Sequence, residues 1–272
     1  MEGRVMSASV LDFIINEPAE EYHAKAKEYL SSHMLSTFRQ NPLLYYWKTE
    51  GLVVDEDRPA YLLGRAAHTL ILEGRDRFND EYAIGGPVNP KTGEPYGTRT
   101  KAWAEWAQAV GKPVLSEADA ELINQMHAGV MTHPEASDLF DEGVPEAVVR
   151  TEYCGTPCQA RLDWLNPTRG LVDLKTADDL TWFESDARRY AYLHQVAFYQ
   201  SVAEKASGQR FPVYIVAVEK KAPYRAGVWK VSEDVLAIAR AENEATIERL
   251  LRCREIGEWR AGYEVIRTFD SI

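Results

Sequence analysis

The chain has 272 residues, 45% of them hydrophobic, and a formal net charge of −11. That is enough apolar material for one substantial core, and the acidity counts against broad phosphate binding without excluding a local basic patch. No run approaches the roughly 18 apolar residues of a membrane span and no basic-then-apolar leader opens the chain, so a cytoplasmic protein with no membrane partner is expected. Three cysteines, Cys154, Cys158 and Cys253, argue against a disulfide framework.

Residues 1–60 read as helical and compact. Ser31 and Ser32 are placed to cap a helix through Met34, Leu35 and Phe38, broken near Asn41-Pro42 and resumed over residues 43–47. Residues 61–73 form a strongly helical run in which Gly64 and His68 share a face. Residues 85–97, with Pro87, Pro90 and Pro95, read as a loop leading through Arg99 and Lys101 into a helix that holds Trp103 and Trp106. A helix over 116–140 follows, interrupted near His133-Pro134.

The composition then changes. Residues 146–153 alternate as a strand, and Gly155-Thr156-Pro157 turns into a hairpin over 159–176. A long helix over 182–206 comes next, then strands over 211–218 and 227–231, and a final helix from Ser232 to about Trp259. The predicted architecture is a single α/β domain over residues 1–272. Its helical N-terminal part covers about 1–140, its central mixed sheet flanked by helices about 145–231, and its C-terminal helix about 232–260.

The hairpin carries the charges that need explaining. Its turn, Asn166-Pro167-Thr168-Arg169-Gly170, uses residues suited to tight reversal. On the outgoing strand Asp173 and Lys175 are two apart and share a face. If the hairpin is centred on Thr168, Asp163 lies opposite Asp173, with Cβ atoms roughly 4.5–5.5 Å apart. Two carboxylates so placed need a cation, either the Lys175 ammonium or a hard divalent ion. A surface hairpin with a cross-strand ion pair is the plain alternative. In the next helix Arg188, Tyr192, Gln195 and Tyr199 fall at i, i+4, i+7 and i+11, a polar and aromatic stripe.

Asp163 followed by Asp173-Leu174-Lys175 resembles the metal-binding core of the PD-(D/E)XK nuclease superfamily. Gln195 and Tyr199 match the Q-x-x-x-Y element of its RecB-like members, and Gly64 to His68 matches an upstream G-x-x-x-H. The order of these elements over residues 30–205 is most similar to the phage-type exonuclease VIII (RecE-like) branch. The resemblance implies a restriction-endonuclease-like sheet core. It also implies a metal site of His68, Asp163, Asp173 and the Leu174 carbonyl for Mg²⁺ (or Mn²⁺), with Lys175 acting on the attacking water and Gln195 and Tyr199 supporting the site. Gly64 would then allow close backbone approach. Three cysteines cannot supply the Cys₄ iron–sulfur cluster of some relatives.

Arg161, Arg188, Tyr192, Arg99 and Lys101 are the candidate DNA contacts. Glu146 is either a further acidic site residue or a solvated strand end. The function implied is a metal-dependent double-strand exonuclease of a phage-type recombination system. It would act on duplex DNA ends, pass its product to a single-strand annealing protein and assemble as a homo-oligomer. The alternatives are an endonuclease on the same core and an inactive DNA-binding protein of that fold.

Overall fold

A computed structural model describes residues 11–54 and 59–269; the expected helicity of residues 1–10 and 55–58 lies outside the described residues. The helical part contains α1 (Ala19–Ala24), α2 (Ser32–Gln40), α3 (Pro42–Thr49) and α4 (Pro59–His68), a π-helical turn Thr69–Glu73, and α5 (Gly74–Glu81). Two short strands, β1 (Ala83–Ile84) and β2 (Val114–Leu115), pair in parallel around α6 (Lys101–Val110). Then follow α7 (Glu117–Thr132), α8 (Pro134–Leu139), β3 (Val144–Tyr153), β4 (Thr156–Asn166), β5 (Gly170–Ala177), α9 (Phe183–Arg189), α10 (Tyr192–Ser207), β6 (Val213–Glu219), β7 (Ala226–Val231) and α11 (Glu233–Ile256).

Most helix starts are those the caps specify. The Ser31 hydroxyl accepts from Met34 N, the Asn41 side chain from Leu44 N, Ser116 from Asp119 N and Ser232 from Val235 N. These bonds satisfy amides that a helix start leaves without partners. Pro42 and Pro134 occupy first turns, where their missing N–H costs nothing. No helix among the described residues is long and apolar enough to cross a membrane.

The main sheet runs β3-β4-β5-β6-β7 and is mixed: β5 and β6 are parallel and the other neighbours antiparallel. Both faces are buried, which suits the apolar β5 and β6. On one face Leu171, Val213 and Ile215 pack with Phe198 and Val202 of α10, Leu35 and Phe38 of α2, and Leu250 of α11. On the other, Val172, Leu174 and Val216 pack with Ala66 and Ala67 of α4, Leu70 of the π turn, and Ile123 and Met126 of α7.

The hairpin register centres as expected, with Trp164 opposite Val172 and Asn166 opposite Gly170, but the β4–β5 ladder stops there, one residue short of Asp163 and Asp173. Farther from the turn the strands part. Over residues 157–159 the free edge of β4 is taken by Leu30, whose N–H donates to the Pro157 carbonyl and whose carbonyl accepts from Gln159 N. Residues 160–163 are therefore left facing β5 across a gap. The face presented by β4 also changes phase at this point: Ala160 and Leu162 join the α10-side core, whereas Trp164 joins the α7-side core.

The predicted helix over 182–206 is in fact two. Ala191 adopts a left-handed conformation (φ 58°) and separates α9 from α10. No glycine or proline marks the break. The expected stripe is cut accordingly: Arg188 belongs to α9, is exposed and lies near Glu184, away from Gln195 and Tyr199.

Two structural supports near the site lend themselves to stability tests. At the hairpin turn Gly170 has φ 129°, and a Cβ there would stand 2.1 Å from the Pro212 carbonyl oxygen. Gly170→Ala is expected to destabilise the fold by more than about 2 kcal/mol, measured by denaturant unfolding. After β5, buried Glu219 accepts from Leu180 N at 2.9 Å and from Arg225 Nε at 2.8 Å. The Arg225 bond comes first among the influences that hold its carboxyl down to about 2. Because that pKa is depressed, the stability it contributes is present above the usual carboxylate range and lost as pH falls towards 2. Glu219→Gln is expected to cost about 1.5–3 kcal/mol near neutral pH, with the gap to wild type closing on acidification in pH-dependent unfolding.

Candidate active site

The gap between β4 and β5 is filled by charge. Asp163 directs Oδ2 to the backbone N–H of Leu174 at 2.8 Å, replacing the ladder bond that the parted strands do not make. Lys175 Nζ stands 2.6 Å from Oδ2 of Asp173, as their shared face requires. Asp173 is only 3% exposed, and its Oδ1 is buried with no hydrogen-bond donor. Leaving such an oxygen unpaired ordinarily costs about 1–3 kcal/mol. His68, the last residue of α4, brings Nδ1 to 3.7 Å from Oδ2 of Asp163.

Helix α10 closes the other side. The Lys175 ammonium lies 5.0 Å from the centre of the Tyr192 ring, and Gln195 Nε2 donates to the Tyr199 hydroxyl at 2.8 Å. The break at Ala191 starts α10 at Tyr192, next to Lys175. His68, Asp163, Tyr192, Gln195 and Tyr199 line a cleft of about 1360 Å³. That exceeds the roughly 300–1,000 Å³ of most small-molecule sites, and it suits an extended or polymeric ligand.

Burial governs the charge states. Burial first, with the neighbouring Lys175 charge, lowers His68 to about 4, so the imidazole is neutral and able to act as a ligand near pH 7. Asp173 is raised to about 6 by burial against the opposing pull of Lys175, and Asp163 is raised for the same reason. Burial works against the Lys175 charge too, but Asp173 and Asp163 together outweigh it and raise its pKa, so Lys175 remains an ammonium.

Glu146 belongs to this set. Continuing the β3–β4 register past Ala147 and Leu162 puts it opposite Asp163. It adopts φ 52°, a left-handed conformation unusual for a glutamate. Arg161 Nε stands 3.0 Å from its carboxylate, yet burial, reinforced by Asp163, lifts Glu146 to about 8. Glu73 and Glu81, which the sequence reading missed, also line the cleft, and burial raises Glu73. They come from the π turn and α5, beyond the G-x-x-x-H element. Only the helical spacing of Thr69, Glu73 and Glu81 on the side of His68 signals them.

Other expectations fall differently. Arg161 lines the cleft but is engaged with Glu146. Arg99 is exposed on its loop and Lys101 lies 3.4 Å from Glu105 on α6; neither lines the cleft. Gly64 does line it, but a Cβ there would meet no protein atom within 4 Å, so its role as a close backbone contact within the protein is corrected; the open space is the cleft itself. Cys154 lies within the β3–β4 turn, Cys158 is buried, and all three cysteines are free thiols.

Among the described residues, no three His, Cys, Asp or Glu side chains already stand at common metal-ligand spacing. The donor chemistry nevertheless fits a hard divalent cation: two buried carboxylates, one with an unpartnered oxygen, beside a neutral imidazole.

Comparison with known proteins agrees with this geometry. Residues 31–268 match the family described as a PDDEXK-like domain of unknown function (DUF3799). A solved structure from Eubacterium rectale, described as a candidate exonuclease, superposes with a TM-score of 0.67 at 18% identity, covering 94% of this chain and 97% of that one. A second structure, LHK-Exo in complex with dAMP, gives a TM-score of 0.28 at 16% identity over 59% of this chain and 88% of the other, too weak a likeness to carry an argument. No curated protein matches. Nucleases with the PDDEXK core generally use divalent metal ions. With the matched region spanning the helical part, the charged gap and the sheet, the chain belongs to the PDDEXK-like DUF3799 family.

Proposed function

We propose that the chain is a Mg²⁺-dependent deoxyribonuclease that degrades duplex DNA from its ends, as part of a phage-type recombination system. The observation that carries this reading is the meeting of Asp163, Asp173, Lys175 and His68 at the gap between β4 and β5, beside a cleft roomy enough for a nucleic-acid strand. The likeness to the Eubacterium rectale exonuclease supports the same reading.

Asp163, Asp173, His68 and the Leu174 carbonyl would hold the cation. Bound there, a divalent ion polarises the phosphodiester and makes water more acidic. Lys175, kept charged by its two carboxylates, donates hydrogen bonds to the attacking water or to a phosphoryl oxygen and so orients the nucleophile. The Gln195 amide, fixed by its bond to Tyr199, holds the strand against α10. Tyr199, buried and with its pKa raised, stays protonated. Release of a single-stranded product to an annealing protein, and assembly of several copies, belong to the same proposal.

The direct test is digestion of end-labelled linear duplex with Mg²⁺, with EDTA and with Lys175→Ala. Metal-dependent release from an end is expected, falling at least about 100-fold in the variant. No cleavage with any divalent metal overturns the catalytic reading. Cutting of closed-circular DNA as fast as linear DNA would instead favour an endonuclease.

The charge states predict how the metal site responds to pH. Proton and cation compete for Asp173, whose pKa burial lifts to about 6, while His68, held at about 4, stays neutral over the same range. Metal affinity is therefore expected to be level above pH 6 and to fall about tenfold per unit below it. Calorimetric titration with Mn²⁺ between pH 5 and 8 measures this, and a flat profile refutes it.

A further inference from the structure

The cleft has a second polar cluster, built from three helices and separate from the carboxylates. Arg39 of α2 donates through Nη2 to the Asn243 side-chain oxygen on α11. Asn243 is 2% exposed, and its Nδ2 donates to the His194 carbonyl on α10 at 2.8 Å. The His194 ring is tied through Nε2 to Glu242 at 2.6 Å. Arg39, His194 and Asn243 all line the cleft, and His194 directly precedes Gln195 of the candidate site.

Two features set this cluster apart from a structural ion network. Arg39 makes no ion pair with a carboxylate among the described residues, although burial already penalises its charge. The buried Nε of Arg39 and Nδ1 of His194 also have no hydrogen-bond partner there. A guanidinium that is partly desolvated, fixed by a buried amide and open to a cleft is arranged to receive an anion.

We infer that Arg39, positioned by Asn243 and flanked by His194, is a binding site for a phosphate of the DNA strand, displaced along the cleft from the scissile bond. The inference rests on the nuclease reading and deepens it. The nearby Glu242 carboxylate bears on which phosphate: it opposes a doubly charged terminal group more than a singly charged internal phosphodiester. The site therefore takes an internal phosphodiester. Its role is to hold the strand in register while the carboxylate site acts.

The test compares wild type, Arg39→Gln and Arg39→Lys, each checked for an unchanged thermal melt. Gln keeps a donor for the Asn243 oxygen and Lys keeps the charge. Binding of labelled duplexes with 5′-phosphate and with 5′-hydroxyl ends is measured in EDTA over a salt series. Arg39→Gln is expected to weaken binding of both duplexes about tenfold and to reduce the salt slope by about one, with Arg39→Lys recovering part of the loss. Should Arg39→Gln melt early, the comparison of wild type with Arg39→Lys decides, since a bidentate contact is lost in Lys while its charge is kept. Unchanged affinity and slope in the folded variants overturn the site. A loss confined to the 5′-phosphorylated duplex overturns its assignment to an internal phosphate. Digestion and binding by wild type with no Arg39 effect sinks this inference alone, whereas a wild type that neither binds nor cuts DNA sinks the nuclease reading with it.

Discussion

The structure turns on two antiparallel strands that cease to pair. From Trp164 opposite Val172 towards the turn, β4 and β5 form an ordinary ladder; on the other side they separate. Parting strands inside a protein leaves peptide groups and a gap to be satisfied. Leu30 pairs with one stretch of the exposed β4 edge, and the Asp163 carboxylate takes the Leu174 amide. What remains is a notch floored by charged side chains in an otherwise apolar sheet, and the cleft opens from it.

Holding that notch carries a cost that the surrounding helices distribute. Asp173, Asp163 and Glu146 are all pushed towards their neutral forms by burial, which measures how unfavourable their charges are there. Lys175 and Arg161 offset part of this. Uncompensated charge confined to one cavity is characteristic of a binding site and uncommon in a scaffold. The rigid elements behind it make the arrangement definite: α10 is gripped by α11 and by the core residues Phe198 and Val202, and Trp259 after α11 stacks on Tyr46 of α3 at a ring separation of 5.1 Å.

Much of this was legible in the sequence because it follows from short-range rules. The caps at Ser31, Asn41, Ser116 and Ser232, the turn at Asn166 to Gly170, and the shared face of Asp173 and Lys175 are local consequences of residue type. The hairpin centre followed from them. The length of the ladder did not, because its end is set by Leu30, some 130 residues away in sequence, competing for the β4 edge. The break at Ala191 and the left-handed Glu146 were equally hidden, since neither residue type asks for its conformation. Tertiary contacts hold both, and they are what moved Arg188 out of the site and Glu146 into it. The Arg39 cluster was invisible for the same reason: its three members come from helices far apart in the chain.

One feature of α4 has an evolutionary reading. The turn Thr69–Glu73 is π-helical, holding one residue more than an α-helix needs to cover the same rise. Such a turn is a one-residue insertion absorbed without breaking the rod. Removing a residue from it would leave a continuous helix of good packing, but would rotate the two halves relative to each other by about 100°. His68 and Glu81 would then no longer look into the same cavity. Relatives aligned through this helix should therefore share its length to the residue wherever they share the chemistry, and a gap there would mark a chain that kept the fold while giving up the site.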